Sequence, residues 1–319
     1  MAVTVDVAGA QMGGAARFAS ELYSYLAHTG RDDVKIIGAM RRVDPAWLVQ
    51  REFVTMTRSR RIALNNVSFV APGGERWTLL RNALHFLSSD EAARLDPLLR
   101  AKCAREARVV RLAASRADAL IVPSTAMADR VTRLMPTVHS RIIVRPHPVS
   151  ADAIPRRPRD MSILCPVLFA SYKQMSQRIA ELLNAVDKVG DPSVRVLITA
   201  DRCEVPPVFA TNPRIELVGK LEQAELRDLW ARSRAIFFPT GLESFGYPLA
   251  EARVSGQPVI ARDTAQNREI AGDALRAFTL GEDDSLTRAV ASAMTTEVTP
   301  DPDTFNPVSY FDWLLGEKR

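Results

Sequence analysis

Short apolar runs alternate along this chain with longer amphipathic stretches, the pattern of strands and crossover helices in a parallel sheet. Val3–Val7 reads as a first strand, and Gly9-Ala-Gln-Met-Gly-Gly leads into a helix over Ala15–Ala27. Phe18, Leu22, Tyr25 and Leu26 recur there at near-helical spacing. Val34–Ala39 is a second strand. Residues 40–74 read as irregular apart from a short strand at Ile62–Leu64, and Trp77–Leu87 reads as helical. Asp96 as cap and Pro97 in the first helical position open a long helix to Ser115. A strand from Ala119 ends at Pro123, Ser124 caps a helix over Ala126–Leu134, and Ile142–Arg145 is the next strand.

The segment from Pro146 to Pro158 carries four prolines and little apolar content, which marks a linker. Beyond it the alternation resumes. Strands are expected at Ser162–Phe169, Val194–Ala200, Ile215–Val218, Ala235–Phe238 and Pro258–Ala261. Helices are expected at Met175–Val189, Gln223–Ser233, Gly246–Val254, Leu286–Met294 and Tyr310–Leu315. The expected architecture is α/β: two doubly wound parallel-sheet domains, at residues 1–148 and 149–305, with a terminal helix in 306–319. No repeat of fixed period appears.

A chain of 319 residues is comfortable for two such cores. Its 47% hydrophobic and 25% charged residues place it among ordinary globular proteins. No apolar run approaches the roughly 18–20 residues that span a bilayer, and MAVTVDVAGAQ lacks the layout of a signal peptide. Cys103, Cys165 and Cys203 are too scattered for a disulfide framework or a zinc site, and the four histidines show no ligand pairing. A cytoplasmic location and no bound metal follow as expectations. The net charge of +5 could serve an anionic membrane face or a phosphate-rich ligand. Arg100, Arg105, Arg108 and Arg111 read as a solvated helix face, and no nucleic-acid motif accompanies the charge. The loop after the first strand is not G-x-G-x-x-G, so a dinucleotide reading is weak.

The chemistry gathers between Ala235 and Ala261. A strand ends at Pro239, a polar turn follows, and a helix starts near Gly246, at the carboxyl end of a strand where open parallel sheets bind ligands. The N–H groups of Gly246, Tyr247 and Leu249 have no acceptor inside that helix, and such a terminus attracts phosphate. Glu243 and Glu251, eight residues apart, flank it. Carboxylates on both sides of a phosphate suit a nucleotide-sugar.

The stretch ESFGYPLAE resembles the E-x7-E signature of retaining glycosyltransferases of the GT-B fold, family 4 (glycosyl transferases group 1), and SGQPVIARDTAQNREIAGDAL continues the likeness, which runs over about residues 160–296. The resemblance implies two Rossmann-like domains facing a cleft, the second binding the nucleotide-sugar, with the last helix crossing back to the first. It puts Glu251 on the ribose hydroxyls, Glu243 on the donor sugar and Lys173 on the diphosphate. It lines the donor with Ser244, Phe245, Gly246, Tyr247, Pro248 and Leu249. Gly219 and Leu221 would meet the nucleobase, and Gly13 and Gly14 the donor phosphate. His85 is the candidate near the reacting carbon, and Asn66, Arg81 and Asn82 form the acceptor side.

The chain departs from the family pattern at two places. His147-Pro148 replaces an Asn-Gly pair, and Leu168 stands where an arginine precedes the lysine. Lys173 then works with helix N–H groups alone, or an arginine such as Arg178 joins it from elsewhere. The implied activity is transfer of a sugar from a nucleoside-diphosphate sugar to a hydroxyl of a saccharide or small molecule. Configuration would be retained, as expected of a hexosyltransferase, with no cofactor, no metal and no nucleic-acid partner. Peripheral contact with the inner face of the membrane stays open. So do a non-catalytic nucleotide-sugar-binding protein and another GT-B enzyme, such as an epimerase or a phosphorylase.

Overall fold

A strand covered on both faces needs side chains that tolerate burial at each position, and β1 (Val3–Asp6) is enclosed along its whole length. The computed structural model describes residues 2–55, 60–151, 157–166 and 174–316. It divides into two units. The first contains Met1–Pro148, Leu242–Phe245 and Phe305–Arg319, and the second Val149–Gly241 and Gly246–Thr304.

In the first unit, β1 is followed by α1 (Gly13–Thr29), β2 (Val34–Ile37), α2 (Pro45–Thr55), β3 (Arg60–Ala63) and β4 (Glu75–Leu79). Then come α3 (Ser89–Ala93), α4 (Pro97–Ala114), β5 (Ala119–Val122), α5 (Thr125–Leu134) and β6 (Ile142–Val144). Among the described residues the strands form a six-stranded parallel sheet in the order β2-β1-β3-β4-β5-β6. The chain therefore reverses direction across the sheet between β1 and β3.

Two expectations are corrected here. The helix expected over Trp77–Leu87 is instead β4, paired to β3 and β5, followed by a 3-10 turn at Ala83–Phe86. Thr78 and Leu79 are wholly buried there, a setting that favours an extended pleat over the residues' weaker helical spacing. The irregular stretch after Met40 contains α2. Asp44 accepts the Trp47 N–H at 2.9 Å and Pro45 takes the first helical position, the same start signal that marks α4.

Beneath the loops of this sheet lies a buried ion pair. Arg51 donates to Asp6 Oδ2 at 2.6 Å, and both side chains are almost fully enclosed. Asn65 Nδ2 (2.8 Å), Trp47 Nε1 (3.2 Å) and the Ala8 N–H (3.0 Å) complete the carboxylate's partners. Arg51 also donates to the Val67 and Ser68 carbonyls and lies over the Phe69 ring. One carboxylate thus fixes the ends of β1 and β3 and helix α2 together.

The second unit opens with β7 (Asp160–Cys165), α6 (Met175–Val189), β8 (Arg195–Ile198), α7 (Pro207–Ala210), β9 (Ile215–Leu217) and α8 (Gln223–Arg232). It continues with β10 (Ser233–Phe238), α9 (Tyr247–Ser255), β11 (Val259–Arg262), α10 (Ala265–Ala271), β12 (Leu275–Phe278) and α11 (Ser285–Thr295). Its sheet, six-stranded and parallel among the described residues, runs β12-β11-β10-β7-β8-β9. Read from the other edge this is the dinucleotide-binding order, with its switch point between the first and fourth strands, here β7 and β10. Ile163, Val196, Ala235, Phe237 and Ile260 form the core with Ile179, Leu182 and Val186 of α6 and Val290 of α11.

The last helix, α12 (Pro307–Leu315), belongs to the first unit. Tyr25 donates to Asp312 at 2.5 Å, Arg60 donates to the Leu314 carbonyl, and Phe18 meets Tyr310 and Phe311 edge-on.

Asp6→Ala leaves the Arg51 guanidinium buried without its carboxylate, and we expect a loss of about 3–5 kcal/mol in urea unfolding. A loss under about 1 kcal/mol would show that water reaches the site. Glu91 gives a pH test. Its carboxylate is held by Arg130 at 2.6 and 2.7 Å, which lowers its pKa from 4.5 to about 2. A depressed carboxyl stabilises the fold above its unfolded value and loses that contribution as pH falls through the folded one. Glu91→Gln should therefore flatten the fall in urea midpoint between about pH 4.5 and 2, and parallel curves would refute the linkage.

Candidate functional site

The switch point of the second sheet is where a parallel fold leaves room for a ligand. Lys173 and Leu168, which follow β7 in sequence, lie outside the described residues. Residues 239–246 join β10 to α9 beside the switch point. Gly246 sits before α9 with φ 84° and ψ 77°, and no side chain caps the helix. Leu249 corrects the sequence reading: its N–H donates to the Gly246 carbonyl at 2.9 Å and its side chain is fully buried. Pro248 has no N–H to give. Tyr247 and Pro248 are half-buried, and Glu251 is buried on the helix one turn further on. Gly219 adopts a φ of 70° after β9, beside half-buried Leu221. Lys220 is held by Glu204 at 2.9 Å, and Arg178 by Glu181 at 2.6 Å and Gln174 at 3.2 Å.

A groove of about 770 Å³ lies at the opposite edge of this unit, by the amino ends of β7 and β10. Its arginines are engaged within the fold: Arg234 pairs with Glu297 at 2.5 Å and Arg159 donates to the Ser255 carbonyl. The polar backbone ends of the 239–246 loop, not this groove, carry the chemistry suited to a phosphate.

In the first unit, Gly13 and Gly14 are exposed and begin α1, whose amino end also lacks a side-chain cap. Asn66, at φ 67°, accepts the Arg81 N–H through its side chain at 2.6 Å. The Arg81 guanidinium lies over Phe18, and the Arg81 carbonyl accepts from Ser244 Oγ at 2.6 Å. The Ser244 carbonyl accepts in turn from Ser124 Oγ at 2.9 Å. Asn82 caps the 3-10 turn that carries His85, and its Nδ2 lies 3.4 Å from His85 Nε2. Asn66, Arg81, Asn82 and Ser244 are thus brought together, with half-buried Glu243 and buried Phe245 in the same short segment. His85 is buried against α4. Glu106 lies 3.6 Å from its Nε2, and Arg111 donates to its carbonyl. Burial lowers its pKa, against the raising effect of Glu106.

Residues 167–296 match the family model described as Glycosyl transferases group 1. Solved structures resemble the chain over nearly its whole length. WaaG, a glycosyltransferase involved in lipopolysaccharide biosynthesis, is 14% identical with a TM-score of 0.63 over 98% of this chain and 100% of that one. Sucrose-phosphate synthase from Thermosynechococcus elongatus is 12% identical at 0.65, and Anabaena HepE in complex with UDP is 13% identical at 0.62, each covering 98% of both chains. No curated protein matches the chain in sequence. At these identities the likeness establishes the fold, and the two doubly wound units are those of GT-B glycosyltransferases.

One residue the sequence reading did not place at the site stands out against that fold. His147 is enclosed between the Phe18 and Phe245 rings at 5.2 and 5.1 Å. Burial, with the charge of Arg81, pushes its pKa well below the ordinary imidazole range. A neutral ring there packs against Phe245 within the first unit, and the departure at His147-Pro148 noted in the sequence was the available signal. No group of His, Cys, Asp and Glu able to hold a metal occurs among the described residues, and no described helix is long and apolar enough to cross a membrane.

Gly246→Ala tests the start of α9. A Cβ there would meet Leu249 Cδ1 at 2.9 Å and Phe238 Cε1 at 3.2 Å, at a φ that costs a side-chain-bearing residue about 1–2 kcal/mol. The variant should lose at least that much in urea unfolding, and an unchanged midpoint would show that the loop relaxes without strain.

Proposed function

We propose that this protein is a glycosyltransferase that moves a sugar from a nucleoside-diphosphate sugar to a hydroxyl of a saccharide or small molecule, with retention of configuration. The observation that carries the reading is the uncapped start of α9 at the switch point of the second sheet, with Glu251 buried on the same helix. The match of the surrounding segment to group 1 glycosyl transferases supports it.

As the bond from the sugar to the diphosphate breaks, negative charge grows on the leaving phosphate. Backbone N–H groups at the helix start and the positive end of its dipole stabilise that charge without moving. In this reading Lys173 adds a cation from the loop after β7. Glu251 accepts the two ribose hydroxyls, and Glu243 accepts hydroxyls of the donor sugar. Neither acts as a general base, in contrast to the paired carboxylates of glycoside hydrolases. The acceptor oxygen attacks from the face the diphosphate leaves, and its proton passes to a phosphate oxygen. The carbonyl ends of Arg81 and Ser244 are engaged by hydroxyls, which fixes the segment bearing Glu243.

A thermal-shift screen of UDP-, GDP- and dTDP-sugars should identify the donor. UDP compounds come first, because the solved HepE structure contains UDP. With the donor in hand, Glu243→Ala and Glu251→Ala should each lower turnover about a hundred-fold, or about 3 kcal/mol at the transition state. Full rates in both variants would remove their assigned roles. Donor binding without transfer or hydrolysis would leave a binding protein instead of an enzyme.

A further inference from the structure

Helices α2 and α4 cover the same face of the first sheet. The steps from β2 to β3 and from β4 to β5 run the same way along the strand order, and right-handed crossovers put both helices on one side. Leu48 of α2 packs against the hydrophobic cluster that contains Val110, Ala113 and Ala114 of α4. An α-helix turns about 100° per residue, so a side chain two positions beyond a buried one points nearly the opposite way. In α4 the buried residues Cys103, Ala107 and Val110 thus set Arg105, Val109 and Leu112 outward. In α2 buried Trp47 and Arg51 do the same for Val49 and Phe53.

A helix face opposite a buried stripe is ordinarily polar, and these are not. Phe53 is 73% exposed, Leu98 83% and Leu112 72%. Exposed Lys102, Arg105 and Arg108 lie among the apolar side chains of α4. The nearby acids are occupied elsewhere. Glu52 accepts the Val70 and Ala71 N–H groups, Glu106 faces His85, and Asp44 and Asp96 accept N–H groups at the two helix starts.

We propose that the outer surface of α2 and α4 is a docking face for an anionic lipid bilayer. Phe53, Leu98 and Leu112 enter the headgroup layer, and Lys102, Arg105 and Arg108 meet lipid phosphates. Basic amphipathic helices bind such interfaces by burying apolar area and by attraction to anionic headgroups. A second copy of this chain would bring like charges together at α4, and nucleic acid would match the cations but leave the apolar side chains in water. Lipid binding here is independent of the donor chemistry proposed above.

The test is flotation of the full chain with vesicles of mixed phosphatidylglycerol and phosphatidylcholine, and in parallel with phosphatidylcholine alone. Wild-type protein should partition onto the mixed vesicles in preference to the neutral ones, and should be released as salt rises from about 0.1 to about 0.5 M. The double variant Arg105→Glu, Arg108→Glu should partition roughly ten-fold or more weakly onto the mixed vesicles. Phe53→Ser with Leu112→Ser, which leaves the charge unchanged, should also weaken partition roughly ten-fold. All four side chains are exposed, so urea midpoints should match wild type, and the charge variant decides alone if the apolar one does not fold. No binding to mixed vesicles, equal binding to neutral ones, or a charge-reversed protein that binds like wild type would overturn the proposal. So would a wild-type dimer in sedimentation that Phe53→Ser dissociates, because a second copy would then cover the face.

Discussion

Each strand pairing described in the two sheets is parallel, and that constraint arranges the rest of the molecule. Parallel neighbours need a crossover of a dozen residues or more, so helices cover both faces and the strands become apolar along their length. All carboxyl ends then fall on one edge of each sheet, and the loops leaving that edge collect the polar residues. Where the winding reverses, adjacent loops diverge and leave space. In the second unit that reversal falls between β7 and β10, and the uncapped start of α9 lies beside it.

The first unit holds its loop edge by a different means. Asp6 ends β1 with an ionised side chain in the interior, and burying a charge is costly unless its partners are complete. Arg51, Asn65, Trp47 and the Ala8 N–H complete them. Arg51 Nη2 donates to the Val67 and Ser68 carbonyls, which places the turn bearing Asn66. Arg61 repeats the device nearby with the Ala71 and Gly73 carbonyls. In sequence these arginines fall in a stretch read as irregular, and nothing in their spacing reveals which carbonyls they meet. Their enclosure follows only once α2 exists.

Much of the second unit was legible because its signals are local. Met175–Val189 carries a strong amphipathic period closed by Gly190, and the helix has those ends. Pro239 and Gly246 punctuate the loop between β10 and α9 where the chain turns. The first unit was harder. Trp77–Leu79 sits in the middle of a sheet whose neighbours, β3 and β5, are distant in sequence, so pairing decided its state against its own weak period. Contiguity also misled. ESFGYPLAE reads as one motif, yet Glu243–Phe245 lies with the first unit and Gly246 onward with the second. Side-chain contacts to Ser124, Arg81, His147 and Phe305 produce that division, and none is close in sequence.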